Sequence, residues 1–221
     1  MSYLWTSSVG RKFFMGITGL FMILFLLFHM SMNLVAVFSA EGYDMICEFL
    51  GVNWYALIGT MVLALGFLLH ILYASVLTLQ NIRARGKQRY AMSRNKGVDF
   101  ASRNMFVLGL IVLGGLGLHL ANFWYKMQLS ELLHLPGAET HGSVLIRELF
   151  SHIGYVIAYL VWFGALWFHL THGFWSMFQS TGLNNSVWSG RLKCLSNIFA
   201  TFVCLCFALV VVYYYAISLC A

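Results

Sequence analysis

Charge is what this chain most lacks. Only 9% of its 221 residues are Asp, Glu, Lys or Arg, while 61% are hydrophobic and a single one is proline. A soluble domain carries about 25% charged residues to coat its surface, so a water-soluble globule is excluded and an integral membrane protein is indicated. Ten-residue stretches of alternating polar and apolar residues are missing, which excludes a porin-like barrel. The five cysteines, Cys47, Cys194, Cys204, Cys206 and Cys220, contain no C-x-x-C pair and imply neither an iron–sulfur cluster nor a disulfide framework in this chain. Walker and Rossmann glycine patterns, internal repeats and low-complexity tracts are missing too, so no nucleotide site is expected. The first apolar stretch is too long for the h-region of a signal peptide, and no small-residue cleavage site follows it.

What is present are five runs free of Asp, Glu, Lys and Arg: Phe13 to Ala40, Phe49 to Ile82, Asn104 to Tyr125, Leu149 to Gly190 and Cys194 to Ala221. A helix needs roughly 20 apolar residues to cross the hydrocarbon core, so each run supplies one span. The fourth run is longer than one span needs, but its apolar part stops near Phe178 and a polar Gln-Ser-Thr-Gly-Leu-Asn-Asn-Ser loop follows. The expectation is one all-α transmembrane domain over residues 1–221, a five-helix bundle with helices near 12–38, 54–82, 104–127, 149–178 and 194–219. The fourth helix would be long, tilted or projecting from the membrane.

Positive charge sets the orientation. Arg11 and Lys12 precede the first span, Arg83, Arg85, Lys87, Arg89, Arg94, Lys96 and Arg103 lie between the second and third, and Arg191 and Lys193 precede the fifth. All fall on one side, which the positive-inside rule makes cytoplasmic. Glu41, Asp44, Glu48, Glu131, Glu139 and Glu148 lie on the other. The N-terminus is therefore expected inside and the C-terminus outside. The basic loop suits lipid headgroups or an acidic cytoplasmic partner. No nucleic-acid motif accompanies it.

Five of the eight histidines sit in or beside spans: His29, His70, His119, His169 and His172. Ionisable groups at bilayer depth are costly and rare, and each marks a functional site by default. His134, His141 and His152 fall in the outer loop or at its edge and read as solvated. At 1.5 Å per residue, His29 lies roughly 24 Å beyond Phe13 and His119 roughly 22 Å beyond Asn104, both counted from the basic side. His70 is roughly 18 Å from Ile82 and His169 roughly 13 Å from Phe178, counted from that same side. The depths pair His29 with His119 toward the outside and His70 with His169 toward the inside.

Two imidazoles facing one another in a bundle fit the axial ligands of a b-type haem. Small residues lie one turn away to make room for a flat ring: Gly66 and Ala74 around His70, Gly115 before His119, Ala165 and Gly173 around His169. Zinc would want three or four ligands at one depth, often with Cys or carboxylate, and the spans contain no carboxylate. His172 is flanked by Phe168 and Ser176 rather than small residues, so His169 is the preferred ligand, with His172 placed to contact a haem propionate or a carbonyl.

Four segments together resemble a known family: His29-Met-Ser-Met-Asn33, His70-Ile-Leu-Tyr-Ala74, the single His119, and Phe168-His169-Leu-Thr-His-Gly173-Phe-Trp175. They resemble the dihaem cytochrome b anchor subunit of succinate:quinone oxidoreductases, the succinate dehydrogenases and fumarate reductases with one large five-helix anchor. The resemblance runs from Ser7-Ser-Val-Gly-Arg-Lys to the fifth helix. It implies two haem b, a flavoprotein subunit with covalent FAD, an iron–sulfur subunit between it and the anchor, menaquinone as the quinone, and a bacterial cytoplasmic membrane. Related fumarate reductases place an acidic residue two positions before the fourth-helix ligand for transmembrane proton movement. Trp167 stands there in this chain, so that route is not expected.

A cytochrome b anchor of a hydrogenase or formate dehydrogenase would also hold two haems, but fits the single His on the third helix less well. A proton-coupled transporter using histidine relays would show inverted halves and acids in broken helices, which are lacking. On the outer side Glu48 lies nearest the start of the second span. A carboxylate partly buried there suits proton exchange with quinone, against the plainer reading of Glu41, Asp44 and Glu48 as solvated loop acids.

Overall fold

A computed structural model describes residues 7–85, 100–180 and 185–220, and every regular element in them is helical. The order is α1 (Ser8–Phe38), α2 (Ala40–Val52), α3 (Trp54–Arg85), α4 (Phe100–His119), α5 (Ser130–Leu132), α6 (Gly142–Phe150), α7 (Ile153–Ser176) and α8 (Trp188–Cys220). A π-helical stretch, Leu120–Leu129, joins α4 to α5, and a 3-10 turn, Met177–Ser180, ends α7. Among the described residues five helices are long and apolar enough to cross a membrane: Gly10–Phe38, Trp54–Ala84, Phe100–Leu132, Ile153–Gln179 and Trp188–Cys220. The chain is an all-α, multi-pass membrane bundle of five spans.

The tightest packing lies between α7 and α8, with α1 laid against them. Small residues permit the approach: Ala200 and Ser196 on α8 are fully buried, and the Ser196 hydroxyl reaches the Thr171 carbonyl at 2.7 Å and that of Leu170 at 3.2 Å. Small residues at the contact and a hydroxyl bonded across it are how helices hold together where lipid offers no hydrophobic drive. Farther along, the Tyr214 hydroxyl donates to the Ala36 carbonyl at 2.9 Å and ties α8 to α1. By contrast α3 has no buried residue among those described. It leans on α1 and barely meets α4.

Helix ends depart from the charge-free runs in a consistent direction. The third span begins at Phe100 rather than 104 and runs on to Leu132, and the fifth begins at Trp188 rather than 194. Long basic side chains reach back to the headgroup region from the last turns of a span, so a run that stops at the first charge stops short. Arg191 lies over the Trp188 ring at 5.4 Å and Lys193 over the Trp175 ring at 4.6 Å.

Two corrections concern the acidic side. The expected fourth helix from 149 is broken: Leu149 and Phe150 belong to α6, His152 is extended (φ −97°, ψ 114°), and the span starts at Ile153. α6 is amphipathic, burying Leu145, Ile146, Leu149 and Phe150 while Val144, Arg147 and Glu148 are exposed. The segment between the first two spans, read as a loop of acids, is the helix α2. Ser39 makes both ends: its N–H closes α1 on the Val35 carbonyl, and its side chain accepts the Gly42 N–H at 2.9 Å to start α2.

Asp44 is not a solvated acid. His141 offers no side-chain cap to α6, and Asp44 of α2 supplies it from across the chain, accepting the Ser143 N–H at 2.8 Å and the Ser143 hydroxyl at 2.6 Å. Ser143 is buried, so loss of the carboxylate strands two donors. Asp44→Ala is expected to cost about 1–3 kcal/mol, read as a lower unfolding midpoint in detergent; a midpoint equal to wild type would refute the staple.

Candidate functional site

Four of the five histidines in or beside spans come together in two pairs. His29 of α1 and His119, the last residue of α4, have ring centres 5.7 Å apart at an interplanar angle of 83°. His70 of α3 and His169 of α7 have ring centres 6.4 Å apart at 66°. Metal–imidazole nitrogen bonds of about 2.0 Å, plus about 1.1 Å from nitrogen to ring centre, put two axial imidazoles on one iron about 6 Å apart. Both pairs match that spacing. Among the described residues no group of three His, Cys, Asp or Glu converges for a metal. A haem iron brings its four equatorial nitrogens with it and asks the protein for only two ligands, so the donor set fits that group.

The His70–His169 pair, on the basic side, is the more open one. Thr18 of α1 lies 3.1 Å from His70 Nδ1. His169 Nδ1 is buried without a hydrogen-bond partner among the described residues, an orphaned polar atom of the sort a ligand or water satisfies. Glycines stand beside both rings: a Cβ on Gly19 would lie 3.9 Å from His70 Cε1, and one on Gly109 would lie 3.7 Å from His169 Cε1. Neither Thr18, Gly19 nor Gly109 is singled out by sequence, since each reaches its histidine across a helix interface whose register no spacing reports. His172 places its ring against Trp175, with centres 5.5 Å apart.

The His29–His119 pair, on the acidic side, is enclosed in aromatic rings. Phe25 stacks on His29 at 5.3 Å, and Phe123, Trp162 and Tyr159 surround His119 at 5.2, 5.8 and 6.4 Å. Asn33 donates to the His29 carbonyl at 2.8 Å, lies 3.4 Å from His29 Nε2, and accepts from the Tyr43 hydroxyl of α2 at 3.3 Å. His29 is thus tied through Asn33 to Tyr43 of α2. The π-helical stretch begins directly after His119, and π turns inside helices gather at functional sites.

Of the expected spacer glycines, two are taken up by helix packing. A Cβ on Gly66 would fall 2.7 Å from Phe21 Cε1, and one on Gly115 would overlap the Trp162 indole. Gly173 meets only the Met105 methyl, at 3.7 Å. Ala165 is buried with Ala101 and Leu108. Trp167 donates its indole N–H to the Thr201 hydroxyl at 2.9 Å.

At the acidic end Glu48 is less buried than its expected role supposes, with 52% of its side chain exposed. Its carboxylate lies 3.4 Å from His141 Nε2, whose Nδ1 lies 3.2 Å from Glu139. Glu41, Asp44, Met45, Glu48 and His141 line one open hollow there. Burial raises the pKa of the neighbouring Tyr43 phenol and Cys47 thiol.

At the opposite end Arg11 bonds Gln80 at 2.5 Å, which sets the start of α1 beside the end of α3. A Cβ on Gly16 would lie 3.3 Å from the Met177 carbonyl, which brings the end of α7 to the same place. Lys87, Arg89, Arg94 and Lys96 of the basic loop lie outside the described residues. No protein-family model, curated protein or solved structure matches this chain, and the two histidine pairs are what any functional reading has to explain.

Proposed function

We propose that the chain is the dihaem cytochrome b anchor of a succinate:quinone oxidoreductase, holding one haem b between His70 and His169 and a second between His29 and His119. The observation that carries this reading is the pairing itself: four spans each contribute one imidazole, and the ring centres stand 5.7 and 6.4 Å apart. One satisfied core histidine would be unremarkable, but four that meet in pairs at bilayer depth share a purpose. When bound, such groups supply one-electron transfer. The chain's part is to fix the axial nitrogens and exclude water, here with Phe25, Phe123, Tyr159 and Trp162 around the outer pair.

The gathering of the starts of α1 and α8 with the ends of α3 and α7 supports a cytoplasmic basic face, with Arg11, Arg83, Arg103, Arg191 and Lys193 near it. That face suits an iron–sulfur subunit carrying, in turn, the flavoprotein with FAD. The acidic face suits menaquinone chemistry, with Glu48 and His141 available to exchange protons at the outer surface of a bacterial cytoplasmic membrane.

A reduced-minus-oxidised spectrum of the purified chain is the direct test. Two b-type haems per chain are expected, and the lack of any b-type band would end the reading. For the quinone end, Glu48→Gln is expected to keep haem content and soluble-subunit succinate–dye activity while quinone-linked turnover falls by roughly 100-fold, the scale of a lost proton-transfer group. Unchanged quinone turnover would remove Glu48 from the mechanism.

A further inference from the structure

We propose that Thr18 is the positioning residue of the inner histidine pair, fixing the His70 imidazole in the tautomer whose Nε2 lone pair is free to bind iron. The inference rests on the dihaem reading and extends it to a residue outside both pairs. The Thr18 hydroxyl lies 3.1 Å from His70 Nδ1, and also 3.2 Å and 3.1 Å from the carbonyls of Phe14 and Met15 on its own helix. A hydroxyl has one proton to donate and two lone pairs to accept with. Carbonyls only accept, so two arrangements are possible.

If Thr18 donates to His70 Nδ1, the imidazole proton sits on Nε2. That nitrogen has no hydrogen-bond acceptor among the described residues, so its N–H would go unanswered in an apolar span. If Thr18 instead donates to a carbonyl of its own helix, a common habit of threonine in membrane helices, it accepts from the Nδ1–H of His70. Every donor is then satisfied, and Nε2 keeps its lone pair. The second arrangement is favoured by proton accounting alone, and it is the form a metal requires. It also matches the general build of metal–histidine sites, in which the other ring N–H is anchored by a second group that orients the ring and raises its basicity.

The rest of the pair fits this division of labour. His169 Nδ1 is buried with no such partner among the described residues, so among them a side-chain bond orients only the α3 ligand of the inner pair. α3 is the loosest of the spans, without a buried residue among those described. A side-chain bond from α1 to His70 therefore sets where the loosest helix presents its ligand.

The test uses the full chain purified with its haems, comparing wild type with Thr18→Val, which keeps the shape and removes the acceptor, and with Thr18→Ser, which keeps the acceptor. Thr18→Val is expected to loosen the inner haem roughly 10- to 100-fold, read as faster transfer to apomyoglobin, and to raise its midpoint potential because a less basic imidazole donates less to ferric iron. The outer haem should be unaffected, and Thr18→Ser should return both quantities toward wild type. Two haems in wild type with no change in Thr18→Val, or a shift that Thr18→Ser does not reverse, would overturn the role of Thr18 and leave the dihaem reading standing. A wild-type chain without b-type haem would overturn both.

Discussion

His169→Ala is expected to remove the inner haem and leave the outer one, halving the b-type absorbance per chain, whereas His172→Ala is expected to leave both. The two histidines are one turn apart on α7, so composition and burial hardly separate them. Geometry does, because His169 faces His70 with ring centres 6.4 Å apart while the ring of His172 lies against Trp175. A ring held from one side only in an apolar pocket is poorly retained, because the remaining axial bond must offset the whole cost of ordering it. His70→Ala should behave like His169→Ala. His29→Ala and His119→Ala should remove the other half of the absorbance, and membrane insertion should be normal in all four, since each span keeps its apolar length. Retention of two haems in His169→Ala, with loss in His172→Ala, would reverse the assignment.

Why the pairing was legible and its surroundings were not follows from what a sequence measures. Depth along a helix is residue number times a fixed rise, so histidines on antiparallel spans can be compared from a common edge. That comparison alone puts His29 beside His119 and His70 beside His169. Azimuth and register between helices are not measured this way. Thr18 meets His70 only because of how α1 is rotated against α3, and the sole hint in the sequence is a hydroxyl in an apolar span.

The acidic end is less legible for another reason. α2 and α6 are too short and too charged to look like spans, and Tyr43 of α2 and Ile146, Leu149 and Phe150 of α6 are buried in one cluster with Val211 and Tyr214 of α8. Glu41, Asp44 and Glu48 therefore read as loop acids, although they share a helix and Asp44 caps α6. The glycines are a different matter. A small residue beside a histidine signals close approach, but not by what, and a Cβ at Gly66 or Gly115 would meet a protein ring.

That last point gives a prediction for the outer pair. Gly115→Ala would set its methyl inside the Trp162 indole, against Cγ, Cδ1 and Nε1 near the base of the ring. The indole cannot swing clear by moving its far edge; it has to leave its seat. Leaving breaks the bond from Trp162 Nε1–H to the Val112 carbonyl, 3.0 Å long, and disturbs the rings at 5.8 Å (His119), 5.6 Å (Tyr159) and 5.6 Å (Phe163). Overpacking of this kind costs about 1–3 kcal/mol, and an indole N–H left without a partner adds about 1–3 kcal/mol. Gly66→Ala makes the informative contrast, because its methyl would meet the outer atoms Cδ1 and Cε1 of the Phe21 ring and the Met22 methyl, at 2.7 to 3.0 Å. A ring edge and a thioether tip can yield by a side-chain rotation. The expected result is that Gly115→Ala loses the outer haem and keeps the inner one, with altered tryptophan fluorescence, while Gly66→Ala keeps two haems. An outer haem bound normally in Gly115→Ala would mean that Trp162 is not part of the wall holding His119.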